Sequence, residues 1–269
     1  MEESGMDAIK QHLVSGSLDK AINDAGQQVR SRPGDAEARA SLIELLCVAG
    51  DLERADEMLG ALARHHPDWL AGAANLRQLM RAQQARAAFH QGQLAEDVVA
   101  GEGDDLQALL ALMLARAEGD LDAAEAAAQS LEEHREKASF RLGDVEGDIR
   151  DCDDSLCGFI EALGTDGKFY LWRWSEIEAI DFHPPGSPVE LAWRRADVEL
   201  TSGQQGEVFV PLIYQASTTD QEKLGRVTDW QEHSAGLVTG VGLKQFLVGD
   251  DVVGLESVSR VERLVAANA

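Results

Sequence analysis

Two groups of carboxylates have the spacing to do chemistry in this sequence: Asp148, Asp151, Asp153 and Asp154, and the pair Asp250–Asp251. Clustered carboxylates bind Mg²⁺ or Ca²⁺, or serve as general acid and base. A metal-dependent hydrolase using Asp148–Asp154 is therefore one reading. The spacing misses the calcium-loop pattern D-x-D-x-D-G. A chain with 48 Asp+Glu against 24 Lys+Arg also brings carboxylates together by composition alone. Turns and helix caps use Asp freely, which favours a structural reading. The adjacent His65 and His66 would point in different directions on a helix, and neither has an i, i+4 histidine partner for a metal. Placed just before Pro67, they fit the electrostatics of a helix C-terminus instead. Cys47, Cys152 and Cys157 are odd in number and lack zinc-site spacing, so they read as reduced thiols of a cytosolic protein. No Gly-rich phosphate loop, G-x-S-x-G elbow or H-E-x-x-H motif occurs. The expectation is a chain with no catalytic, metal or cofactor site.

Residues 6–137 are rich in Ala, Leu, Glu, Gln and Arg, all strong helix formers. A motif repeats there: Gly16-Ser17-Leu18-Asp19-Lys20-Ala21 returns 34 residues later as Gly50-Asp51-Leu52-Glu53-Arg54-Ala55, and Pro33 returns as Pro67. Gly permits the tight turn between two helices, and a small Ala lets them approach closely. Pro closes the second helix, and Asp35 and Asp68 offer N-caps to the next. A third copy, Gly119-Asp120-Leu121-Asp122-Ala123-Ala124, follows 69 residues after Gly50. The unit between departs from pattern, with one long helix over 69–91 and a late Gly92. This spacing resembles tetratricopeptide repeats and predicts an irregular α-solenoid, an architecture whose grooves receive partner helices.

Of fourteen aromatic residues, eleven follow residue 151. Val, Ile, Phe and Trp replace the helix formers, which marks a change from α to β. Gly143 and Gly147 punctuate a boundary between Lys137 and Asp148. Short strands are expected at 158–163, 168–173, 177–182, 196–201, 207–211, 227–232, 245–249 and 257–264. The fold class is thus α+β: a tetratricopeptide-like helical domain over 1–140, then a small antiparallel, barrel-like β domain over 141–269. The stretch Leu171–Leu200 concentrates three of the five tryptophans and three of the six prolines.

The net charge of −24 divides evenly, with 13 Lys+Arg against 25 Asp+Glu in residues 1–140 and 11 against 23 in 141–269. Such a field repels phosphate backbones, excludes a nucleic-acid binder and suits a basic protein partner. The N-terminus lacks an apolar signal core, and the longest apolar run, 106–115, contains Gln107. It is far short of the roughly 20 residues that cross a bilayer. No membrane association is expected.

Seven blocks in order then carry a resemblance. They are Asp148-Ile149-Arg150-Asp151-Cys152-Asp153-Asp154-Ser155-Leu156, Trp174-Ser175-Glu176-Ile177, Phe182-His183-Pro184-Pro185, Leu191-Ala192-Trp193-Arg194-Arg195-Ala196, Glu207-Val208-Phe209-Val210-Pro211, Leu224-Gly225-Arg226-Val227-Thr228-Asp229-Trp230 and Phe246-Leu247-Val248-Gly249-Asp250-Asp251. In this order they resemble the ImpE/TagJ (SciE-type) family of type VI secretion accessory proteins. The resemblance implies a cytoplasmic, non-enzymatic adaptor. Its expected partners are an N-terminal helix of the small contractile-sheath subunit and the AAA+ ATPase that disassembles contracted sheaths. It supplies no catalytic residues. The matched positions Asp151, Asp153, Trp174, Pro184, Pro185, Trp193, Arg194, Pro211, Asp229, Trp230, Gly249 and Asp250 read as structural. Pro184-Pro185 fixes a turn, Asp229 caps it, and Trp174, Trp193 and Trp230 fill the barrel core, with an aromatic docking surface as the alternative. The partner groove is expected in the helical half, and a general helical-repeat adaptor or chaperone is the alternative.

Overall fold

The computed structural model describes residues 2–234 and 236–264. Seven helices come first: α1 (Glu2–Val14), α2 (Leu18–Ser31), α3 (Ala36–Ala49), α4 (Leu52–His65), α5 (Leu70–His90), α6 (Asp104–Glu118) and α7 (Leu121–Glu133). A short strand, β1 (Val98–Ala100), lies between α5 and α6. The repeated motif acts as its residue types dictate. Gly16, Gly50 and Gly119 hold φ of +73°, +84° and +75°, which close the turns between paired helices. The alanines five residues on, Ala21, Ala55 and Ala124, are each 0% exposed where the helices cross. The Asp35 side chain caps α3 by accepting from the Ala38 N–H at 2.9 Å. Asp68 does not cap α5. Pro67–Trp69 forms a turn of 3₁₀ helix that runs straight into α5, so the chain is already helical at Asp68.

The β part contains β2 (Ser139–Leu142), β3 (Val145–Asp151), β4 (Phe159–Gly164), β5 (Phe169–Arg173), β6 (Ile177–Phe182), β7 (Trp193–Leu200) and β8 (Gln205–Pro211). After these come the one-turn helix α8 (Asp220–Lys223) and β9 (Thr228–Ser234), β10 (Leu237–Gly242), β11 (Phe246–Val248), β12 (Asp251–Val253) and β13 (Arg260–Arg263). Among the described residues eleven strands form one curled sheet in the order β1-β5-β4-β8-β7-β6-β13-β2-β3-β11-β12, and β9 and β10 make a separate ribbon. Pairing is antiparallel except where β1 runs parallel to β5. The molecule is α+β, as expected. All eight expected strands are present, with ends shifted by a few residues. The stretch expected to be a polar boundary is instead the hairpin β2–β3, in which Ser139 faces Asp148. Among the described residues no helix is long and apolar enough to cross a membrane.

Alternation along the strands feeds two cores. Phe159 and Leu163 of β4, Phe169 and Leu171 of β5, Trp193 of β7 and Phe209 of β8 project towards the helices, where they join Ile43, Leu46, Leu79 and Phe89. Their neighbours Ile160, Ala162, Ala196, Val198, Val208 and Val210 project into the curl, where they meet Phe140, Trp174, Phe246 and Val261. One sheet thus divides its side chains between a helix-facing layer and its own interior.

Ala55→Leu should destabilise the protein by about 1–3 kcal/mol through overpacking of the α3–α4 contact. Ala71→Leu, at an exposed helical position, should stay within about 0.5 kcal/mol of the parent. Urea unfolding of the two variants checks both.

Candidate functional site

Of the carboxylates singled out from the sequence, Asp148, Asp151, Asp153 and Asp154 are satisfied by the chain itself, and Asp250 and Asp251 are exposed. Asp148 accepts from the Ala138 N–H at 3.0 Å and pairs with Arg135 at 2.8 Å. Asp151, fully buried, accepts from the Asp153 N–H at 2.9 Å and from the Tyr214 hydroxyl at 2.8 Å. Asp153 accepts from the Ser155 N–H at 2.8 Å and from the Gly240 N–H at 2.9 Å. Asp154 pairs with Arg150 at 2.7 Å and accepts from the Val238 N–H at 2.8 Å. The cluster is a knot that ties the β3–β4 connection to β10. Among the described residues no group of three or more His, Cys, Asp or Glu side chains is placed to hold a metal ion.

A more consequential charged site lies where α5 crosses the sheet. Glu161 sits between Phe159 and Leu163 on the face of β4 that meets the helices, and its side chain is 0% exposed. Arg86 and His90 stand four residues apart on one face of α5. The Arg86 guanidinium reaches both Glu161 oxygens at 2.9 Å, and the His90 Nε2 donates to Oε1 at 2.7 Å. Lys244 Nζ lies 2.7 Å from the other oxygen and 3.4 Å from Asp151. Arg86 also donates to the Ile213 carbonyl at 2.9 Å and to Gln215 at 3.0 Å. Two cations, two carboxylates and an imidazole are therefore buried together. Burial pushes the Glu161 carboxyl up, but Arg86, Lys244 and His90 outweigh it and hold it well below the usual carboxylate range. Burial also pushes the His90 imidazole down, helped by the Arg86 and Lys244 charges and opposed by Glu161. Asp151 is pushed up to about 6 by burial, with Lys244 opposing and Asp153 adding to the shift.

Further contacts join helices and sheet. Arg173 on β5 grips both oxygens of Asp105 on α6, at 2.5 and 2.6 Å. The α8 segment reaches three helix ends. Asp220 accepts from the Asp19 N–H in the first turn of α2 at 3.0 Å. Lys223 donates to the Ala49 carbonyl that ends α3 at 2.9 Å, and Arg226 donates to the Leu13 carbonyl in the last turn of α1 at 3.1 Å. An anion at a helix start and cations at helix ends match the sign of the helix dipole. In the helical half, where a partner groove is expected, α3 is met by the chain's own turn at Val189–Leu191 and by α8. A cavity of about 190 Å³ remains there, lined by residues that include Glu44, Trp69 and Glu190.

Comparison with known proteins places this geometry. The family described as ImpE protein matches residues 143–262. Over 232 residues the chain is 25% identical to the type VI secretion system accessory component TagJ of Pseudomonas aeruginosa, covering 85% of this chain and 82% of that protein. The chain belongs to the ImpE/TagJ family. A tetratricopeptide repeat model matches residues 13–80. The crystal structure of protein VPA1032 from Vibrio parahaemolyticus is 33% identical, with a TM-score of 0.90 over 96% of this chain and 97% of that one.

Within the ImpE fold the residues singled out from the sequence lie in different environments. Trp174 is fully buried in the curl, edge-on to Phe140 and Phe246 at 5.5 and 5.6 Å. Trp193 is buried too, but in the helix-facing core, because it falls on the opposite face of β7. Trp230 corrects the expectation of a core residue: it is 41% exposed on β9, edge-on to Tyr214 at 6.0 Å, because the ribbon stands apart from the curled sheet. Asp229 does not cap the proline turn; its carboxylate accepts from the Trp230 N–H at 2.8 Å. Arg194 is buried, with its guanidinium over Phe182 and donating to the Leu255 and Glu256 carbonyls at 2.7 Å. Pro184 and Pro185 are exposed in the β6–β7 connection, and Pro211 ends β8 opposite Trp193. Gly249 (φ +60°) and Asp250 form the β11–β12 turn. Sequence reasoning missed Arg86, His90, Glu161 and Lys244. The available signal was a lone acid inside the apolar run Phe159–Leu163.

Glu161→Gln leaves Arg86 and Lys244 buried without their main counter-charge and should cost about 3–5 kcal/mol in chemical unfolding. The imidazole of His90 is held below its unfolded value of about 6.5. The folded state therefore binds fewer protons than the unfolded chain near that pH, and acidification lowers stability. Between pH of roughly 7.5 and 5.5 the parent should lose more unfolding free energy than His90→Gln, because the contribution of Asp151 is shared and cancels. Urea titrations at the two pH values measure the difference.

Proposed function

We propose that this protein is a non-enzymatic adaptor of a bacterial type VI secretion system, acting in the cytoplasm. It binds an N-terminal helix of the small contractile-sheath subunit and is linked through the sheath to the AAA+ ATPase that disassembles it. The observation that carries this reading is the similarity to TagJ, which runs through the helical and β parts alike. The tetratricopeptide match supports a protein partner, since stacked helix pairs present extended binding surfaces. The net charge of −24 supports a partner with a basic face and an association that weakens with salt.

Isothermal titration with a peptide of the sheath subunit's N-terminal helix tests the reading. Binding in the micromolar range should weaken several-fold as salt rises from roughly 50 to 300 mM. Absence of binding at several hundred micromolar peptide would overturn the sheath-helix assignment.

A further inference from the structure

The cavity left beside α3 has a specific chemistry. Its walls are apolar, built by Ile43, Leu62, Leu79 and Phe209 with the ring of Trp69. Its charged lining residues are two carboxylates, Glu44 of α3 and Glu190 of the Val189–Leu191 turn. At about 190 Å³ it is smaller than the roughly 300–1,000 Å³ of small-molecule sites, and it suits one long side chain. Exposed Gly72 stands on its lining with open space where a side chain would begin, which leaves that position unobstructed.

Glu44 is the unusual member. Its Oε2 accepts from the Val189 N–H at 3.3 Å, and it takes a second bond from the Ser187 side chain. Among the described residues no cation is paired with it. Glu161, Asp151 and Asp105 are each met by an arginine or lysine of the chain. Burial, and then the nearby Glu190 charge, push the Glu44 carboxyl up. Glu190 accepts from the Gly186 N–H at 2.7 Å and lies 3.8 Å from Arg195. A long cationic side chain satisfies all of these features at once. Its alkyl stem covers the apolar wall and Trp69, and its head brings a positive charge to Glu44 and Glu190.

We propose that this cavity is the receptor for a single arginine or lysine side chain of a protein partner, with Glu44 and Glu190 holding the cationic head and Trp69 the stem. The proposal rests on the adaptor reading in that the anchor belongs to a partner protein.

The test uses the full-length protein and three small probes: N-acetyl-arginine N-methylamide, its citrulline counterpart and its norleucine counterpart. Binding is followed through the assigned Trp69 indole resonance by NMR. The arginine probe should shift this resonance saturably in the millimolar range. The isosteric but neutral citrulline probe should bind at least about ten-fold more weakly, as should norleucine. Glu44→Gln, which keeps an acceptor for the Val189 N–H, should reduce arginine-probe affinity about ten-fold, and Glu190→Gln should reduce it too. Equal binding of the arginine and citrulline probes, or arginine-probe binding unchanged in both variants, would overturn the proposal. The sheath peptide, titrated in parallel, separates the two readings. Peptide binding that is indifferent to Glu44→Gln removes the cavity as receptor and leaves the adaptor. Selective arginine-probe binding without any peptide binding keeps the cavity and removes the sheath helix as its partner.

Discussion

Glu161 brings a negative charge onto a strand face that is otherwise Phe159 and Leu163, against a helix that supplies Arg86 and His90. Removing that carboxylate from water costs several kcal/mol, so it is tolerated only with its partners in place. Two separate pieces of chain must converge to supply them, α5 and Lys244, and the Ile213–Gln215 segment in turn holds Arg86 in place. An apolar contact between helix and sheet tolerates small slides, whereas a bidentate guanidinium–carboxylate pair does not. The angle of α5 over the sheet and the path of the chain after β8 are therefore fixed together. The Asp151–Asp153 knot extends the same constraint to β10 through Lys244 and Tyr214.

Local rules account for what the sequence revealed. Gly16, Gly50 and Gly119 announce themselves because a positive φ followed by a small buried Ala is a backbone requirement that leaves a repeated signature. The strands with apolar runs were legible for the same reason. The β2–β3 hairpin was not, because its residues alternate polar and apolar over four positions and its glycines read as a loop. Gly147 is small because it lies directly against the Gly249 backbone, a contact between residues about a hundred positions apart.

Site chemistry was less legible still. Asp151 and Asp153 drew attention as candidate ligands, and they matter as acceptors instead. The spacing of carboxylates is visible in a sequence, but the donors that meet them are not, since Tyr214, Gly240 and Lys244 lie sixty to ninety residues away. The tryptophans show a related limit. Trp174 and Trp193 are alike in type, but Trp174 enters the curl from the 3₁₀ turn after β5, whereas strand parity sends Trp193 of β7 to the helix-facing core.

The α8 segment has a consequence for how the chain is made. Arg226 is 213 residues downstream of the Leu13 carbonyl that it caps, and Asp220 is 201 residues downstream of Asp19. At ribosomal rates of about 5–20 residues per second, α1 to α3 wait about 10–40 s for these partners. During that interval the nascent repeats hold open helix ends. Assembly of the solenoid is thus completed by a segment made some two hundred residues after the helices that it caps.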